Sequence, residues 1–275
     1  MAQYSKKRAR ELQKDRFRDT TMEKFDRLGK RLKGHERTII YISGGVVAFV
    51  VLLLVWSWWS NRRAEEARLA LGKAIEIAEA PVTPSPSPGA TAPSFPNERE
   101  RAQKAVEEFQ KVAAKYGDPY RDLARYFTAT NLLTLDRSRG LKELEDLSKS
   151  GNHEIAARAK FALAEALEND GQYDRARALY DELAKANDPI VPTDTVNLRL
   201  AGIYEKQGKK DEAANILFHI VEASRKAQDK DGKPVPPSAA ARDAAQKLQT
   251  LDPARYAQLP PEPALSNPLF GGMSS

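Results

Sequence analysis

A pattern that recurs after 37 residues narrows the possible folds more than any other feature of this chain. Moved by 37 positions, ALAEALENDGQYDRARALYDEL at 162–183 lies on RLAGIYEKQGKKDEAANILFHI at 199–220. Leu163 then falls on Leu200, Ala164 on Ala201, Leu167 on Tyr204, Gly171 on Gly208, Ala176 on Ala213 and Tyr180 on Leu217. Apolar residues recur three and four apart on both sides of each glycine, which is the period of a helix. Each copy therefore reads as a helical hairpin with a glycine at its turn. One hairpin cannot bury its apolar face alone, so copies must stack.

The residue types fit that arrangement. Small Ala164, Ala176, Ala201 and Ala213 let the two helices of a hairpin approach closely. Gly171 and Gly208 permit the turn. Leu163, Leu167, Tyr173, Tyr180, Leu200, Tyr204 and Leu217 fill the space within and between hairpins. Composition agrees: aromatics are few, and Ala, Glu, Lys, Arg and Leu dominate, which favours helices over a β-sandwich. Helices are expected at 98–116, 120–136 and about 139–149 on the same periodicity. Residues 238–250 would close the stack. The fold class expected is all-α.

A second feature lies upstream. TIIYISGGVVAFVVLLLVWSWWS, residues 38–60, has no charged residue and no histidine. As a helix it would be about 34 Å long, enough for a bilayer core of about 30 Å. Tyr41 stands near one end and Trp56, Trp58 and Trp59 near the other, where rings with polar edges favour the headgroup level. Asn61, Arg62 and Arg63 end the stretch. A cleavable export signal would have a shorter apolar core and a small-residue cleavage site before the charges. Residues 38–60 therefore read as a permanent single span. Residues 18–37 carry seven Lys and Arg and residues 61–80 carry four. Basic flanks stay in the cytoplasm, so the N-terminus is expected inside and residues 61–275 outside.

The overall charge of +6 conceals a division. Residues 1–37 hold 13 basic and 6 acidic residues, so the remainder of the chain is close to neutral. The basic excess belongs to a cytoplasmic arm, and the main domain has no charge-based case for nucleic acid. Met22, Phe25, Leu28 and Leu32 recur at helical spacing among lysines and arginines in that arm. They suggest an amphipathic helix lying on anionic lipid, and an acidic protein surface is the other partner these residues would suit. Beyond the span, residues 61–79 continue helically. Six prolines within 81–96 exclude helix and inner strand, giving a Pro-rich disordered insertion within a repeat domain at 61–250. Residues 251–275 read as a disordered tail.

The hairpins resemble the tetratricopeptide repeat. The pair at 154–187 carries the pattern Leu163-Ala164, Gly171, Tyr173, Ala176 and Tyr180, and the pair at 193–226 repeats it with Lys210 and Leu217 in place of the two aromatics. AVEEFQKVAAKYGDP at 105–119 resembles the second helix of another copy, whose first helix would be 61–79. With the span, the whole resembles the bacterial membrane-anchored tetratricopeptide family that includes the ancillary subunit of the Sec translocon. That resemblance implies an inner-membrane protein with a periplasmic repeat domain, working beside the Sec channel subunits with periplasmic chaperones or exported chains as partners. The long basic arm and the Pro-rich insertion depart from the shorter members. A scaffold for cell-wall synthesis, cell division or another envelope complex is the alternative that the residues leave open.

The working surface of such repeats is the groove lined by the first helix of each hairpin. Here it would present Arg158, Phe161, Glu165, Glu168 and Asn169, then Thr195, Leu198, Gly202, Glu205 and Lys206. Some repeats grip a C-terminal carboxylate with Lys and Asn, but Phe161, Glu165, Leu198 and Gly202 do not suit that mode. The mixed surface suits an extended segment or a helix of another protein.

Nothing in the chain suggests catalysis or a cofactor. There is no cysteine, and His35, His153 and His219 stand in unrelated contexts. Carboxylates lie about four residues from lysine or arginine, as on solvated helices. No zinc-protease, nucleophile-elbow or phosphate-loop motif is present. A protein-interaction scaffold that is not an enzyme is the expectation.

Overall fold

The computed structural model describes residues 36–83, 93–187 and 189–263. The helix expected at Met22–Leu32 lies outside them, as do residues 84–92 of the Pro-rich insertion. The fold is all-α: the described residues form ten helices and no strand, with two isolated bridges. In chain order they are α1 (Glu36–Ala78), α2 (Glu98–Lys115), α3 (Tyr120–Leu135), α4 (Arg137–Ser148), α5 (His153–Asn169), α6 (Tyr173–Ala184), α7 (Thr193–Lys206), α8 (Lys210–Lys226), α9 (Ala239–Leu251) and α10 (Pro253–Tyr256). Two compact units divide the chain, one to Glu66 and one from Ala67.

In the first unit, α1 is exposed along its apolar stretch, including Phe49, Leu52, Leu54 and the three tryptophans. Among the described residues it is the one helix long and apolar enough to cross a membrane, over Gly44–Ala78. An apolar helix left uncovered by the other described residues is what a lipid environment accommodates.

The second unit is a run of antiparallel hairpins with a continuous sequence of cores. Leu71 and Ala74 of α1 pack with Ala105, Phe109 and Val112 of α2 and Ala124 of α3. Phe109 stacks on Phe127 with ring centroids 5.0 Å apart. The central core joins Leu144 and Leu147 of α4 to Leu163 and Leu167 of α5, Tyr180 of α6 and Val196 and Ile203 of α7. A third gathers Ala201 of α7, Leu217 and Val221 of α8, and Ala244 and Leu248 of α9.

Local chemistry sets the helix limits. Asn152 starts α5 by accepting hydrogen bonds from the backbone N–H of Glu154 and Ile155. Asn97, Asp136 and Ser238 cap α2, α4 and α9 in the same way. Gly171 and Gly208 end α5 and α7 with φ of 72° and 76°. At each, two backbone bonds close the turn: Gln172 N–H donates to Leu167 O and Gly171 N–H to Glu168 O, and the pattern recurs from Lys209 to Tyr204 and Gly208 to Glu205. This is a Schellman closure, and its left-handed residue is where a Cβ would be strained.

Two segments differ from the sequence reading. The Pro-rich insertion has pinned ends: Val82 and Phe95 form a parallel bridge, and Thr83 N–H donates to Phe95 O at 2.8 Å. The tail expected at 251–275 is corrected over its first part, residues 251–263, which packs on α8 and α9. Asp252 caps α10, Leu259 is buried in the third core, and Arg225 of α8 donates to Tyr256 Oη at 3.2 Å and Glu262 at 3.2 Å and also to Pro260 O. Prolines stop longer helices here without preventing a short turn and an apolar anchor.

Candidate protein-interaction surface

The first helices of the two matching hairpins, α5 and α7, carry the residues expected to line the groove. Their charged groups are largely engaged with the next hairpin. Glu165 pairs with Arg199 of α7. Glu168 pairs with Lys206 of α7 at 2.8 Å. Glu205 pairs with Lys247 of α9 at 3.5 Å. Asp170 takes Arg137 of α4 at 2.7 Å, and Asp174 accepts from Gln207 at 3.4 Å. The partners stand 33 to 42 residues apart, close to the repeat period, so each of these contacts joins one hairpin to its neighbour.

Glu168 departs most from the expectation of an open groove residue. It is only 7% exposed, and its carboxylate accepts from Tyr180 Oη at 3.3 Å as well as from Lys206. A buried carboxylate persists when hydrogen-bonded and paired, and Lys206 also lies 5.7 Å from the Tyr173 ring. Burial above all, and then the negative charge of Glu168, pushes the Tyr180 phenol well above its ordinary range.

The remaining groove positions have simpler surroundings. Arg158 is exposed and pairs within α5 with Glu154 at 2.8 Å. Phe161 is half-buried, edge-on to Tyr180 with centroids 5.7 Å apart. Leu198 is half-buried against the third core, and Thr195 is half-buried one turn before it. Gly202 is half-buried, and Asn169 is exposed. Of the packing positions, Leu163, Ala164, Leu167, Ala176, Tyr180, Leu200, Ala201, Ala213 and Leu217 are buried. Tyr173 and Tyr204 are half-buried with a lysine over each ring, Lys206 and Lys209 respectively.

Two recesses lie away from this face. One, of about 190 Å³, sits where α5 begins and α6 ends, between Ala157, Leu183 and Ile190, with the Lys160–Glu182 pair beside it. The other, of about 220 Å³, lies between Val221, Arg225, Ala241 and Pro263. Neither was read from the sequence, because each depends on how a linker returns over its hairpin. Among the described residues no group of three His, Asp or Glu is placed to hold a metal ion.

A family model described as the tetratricopeptide repeat matches residues 161–189. The match covers the second half of α5, the Gly171 turn and α6. It supports a tetratricopeptide-repeat protein, and such repeats generally mediate contacts between proteins. No curated protein matches the chain.

Proposed function

We propose that this chain is a single-pass scaffold of a bacterial inner membrane, with its N-terminus cytoplasmic and its repeat unit periplasmic. It serves the Sec protein-export channel as an ancillary subunit, through the span, and holds periplasmic chaperones or emerging chains on its repeats. The observation that carries this reading is chain order: a membrane-length apolar helix stands directly before stacked helical hairpins. The excess of Lys and Arg before residue 38 supports the orientation. The basic arm at 1–37 rests on anionic lipid of the cytoplasmic face, and nucleic acid is no partner.

The repeat unit offers its partner Phe161, Thr195 and Leu198, with Arg158 and Asn169 at the edge. The charged residues between them hold neighbouring hairpins together. An extended or helical segment with apolar side chains fits that surface.

Cross-linking in intact membranes, followed by purification of the full-length chain in mild detergent, tests the assignment. Recovery of channel subunits with periplasmic folding factors is expected. Recovery of cell-wall or division proteins without the channel would replace the export role with that of another envelope scaffold. Orientation is tested separately with Asn169→Cys, since the chain has no other cysteine. A membrane-impermeant maleimide should label it in intact spheroplasts; labelling only after lysis would invert the topology.

A further inference from the structure

At the aqueous end of the apolar stretch, two arginines fold back onto tryptophans. The Arg62 guanidinium lies 5.1 Å from the Trp58 ring centroid and that of Arg63 lies 4.3 Å from the Trp59 centroid. Both pairs are four apart, so each arginine sits one turn above its ring. One further turn along stand Glu65 and Glu66, both exposed. Arginine and glutamate three and four apart on a helix ordinarily pair. Among the described residues neither guanidinium forms an ion pair with Glu65 or Glu66, because both are turned the opposite way. The surface is therefore a cationic layer resting on an aromatic one, with an anionic layer about 4.5 Å further along the axis.

We propose that this collar binds the phosphoethanolamine headgroup of a membrane lipid. The inference rests on reading α1 as a span. Tryptophan rings favour the headgroup level, which puts Arg62 and Arg63 beside the lipid phosphates. Guanidinium groups donate in a fork that suits phosphate, and stacking on a ring orients that fork. The ethanolamine ammonium follows the phosphate after an oxygen and two carbons, a reach comparable to the separation of the two charged layers. Glu65 and Glu66 then accept from it. A primary ammonium donates three hydrogen bonds. A quaternary choline group donates none, and a glycerol headgroup leaves the carboxylates facing a net negative lipid. Charge order along the helix thus favours phosphatidylethanolamine over both.

The chain's three tryptophans are Trp56, Trp58 and Trp59, so its intrinsic fluorescence reports on this collar. The full-length protein is placed in nanodiscs of phosphatidylethanolamine, phosphatidylcholine and phosphatidylglycerol in equal proportion. In each sample one lipid class carries brominated acyl chains that quench nearby tryptophan. Quenching by the ethanolamine lipid should correspond to a local enrichment of about two- to fivefold, the range expected for exposed charge pairs. Arg62→Gln with Arg63→Gln should abolish the enrichment. Glu65→Gln with Glu66→Gln should transfer the preference to phosphatidylglycerol. Equal quenching by all three lipids, or preference for phosphatidylglycerol in the unaltered chain, would overturn the proposal while leaving the span in place. Absence of quenching by any lipid would remove the span reading and this inference with it.

Discussion

Glu168 and Lys206, 38 residues apart, meet at 2.8 Å and join one hairpin to the next. The pair is asymmetric: the carboxylate is 7% exposed and the lysine 47%. The exposed half of the pair is screened, so a Glu168/Lys206 double-mutant cycle should give a coupling of only about 0.5–1 kcal/mol. Glu168→Ala should cost more, about 2 kcal/mol, because it also leaves the buried Tyr180 hydroxyl without an acceptor. Urea unfolding of the full-length chain in detergent checks both values. A loss from Glu168→Ala no larger than that from Lys206→Ala would show that the Tyr180 bond contributes nothing.

Tyr180 supplies a pH dependence of definite sign. Its phenol is buried and faces two carboxylates, Glu168 and Glu165, so its folded pKa lies above that of a free tyrosine. Stability from the neutral phenol is complete below the unfolded value of about 10 and is lost as pH rises beyond it. Absorbance titration of the phenolates should show a component that appears only when the chain unfolds at alkaline pH. Tyr180→Phe should reduce that late component and flatten the alkaline loss of stability.

The two repeat glycines should be sensitive in parallel. Alanine at Gly171 or Gly208 finds open space for its Cβ but must adopt φ above +70°. The left-handed conformation costs about 1–2 kcal/mol for an L residue, and each single substitution should lower stability by about that amount. If the turns are independent, as their separation implies, the double substitution should give the sum.

Gly140 calls for glycine for a different reason. A Cβ there would stand 2.8 Å from the Leu133 backbone nitrogen and 3.1 Å from Ala129 O, with α3 and α4 in close contact. Helix propensity favours alanine by about 1 kcal/mol, whereas overpacking a fixed backbone costs about 1–3 kcal/mol. Gly140→Ala should therefore be neutral to destabilising by about 2 kcal/mol, and Gly140→Val worse. A stabilised alanine variant, measured by thermal unfolding, would show that the two helices separate easily.

How much of this was legible in the sequence depended on the range of the cause. Gly171 and Gly208 announced their turns because a Schellman closure is local and its spacing repeats. The caps Asn97 and Asn152 act over an equally short range, within three residues, but no repeat marks them out. Glu168 was read as a solvated groove residue because a glutamate on a helix face usually is one; its two partners lie 12 and 38 residues away. The offset of acid and base by nearly one repeat, in Glu165 with Arg199 and Glu168 with Lys206, was the available signal. Gly140 was invisible because its need arises from the crossing of two helices. Leu259 was hidden by the prolines around it, which describe the backbone and say nothing of what one leucine can anchor.

The closing segment after α9 should be part of the folded repeat unit. Leu259 is 8% exposed and packs in the core of α7, α8 and α9, and Arg225 holds the segment through Tyr256, Pro260 and Glu262. The Arg225 guanidinium also lies 5.5 Å from the Tyr256 ring centroid. Leu259→Ala should cost about 2–4 kcal/mol, as truncation of a buried leucine does. Arg225→Ala should cost about 1–2 kcal/mol by leaving the Pro260 carbonyl and Tyr256 hydroxyl without their donor. Compared with a chain ending after residue 263, one ending after residue 251 should lose more stability than Leu259→Ala does, since Ala244 and Leu248 then face water. Equal stability of the two truncations would show that the segment adds nothing to the fold. Proteolysis gives an independent reading, because Arg225→Ala should make cleavage near Arg255 faster without changing cleavage within α5.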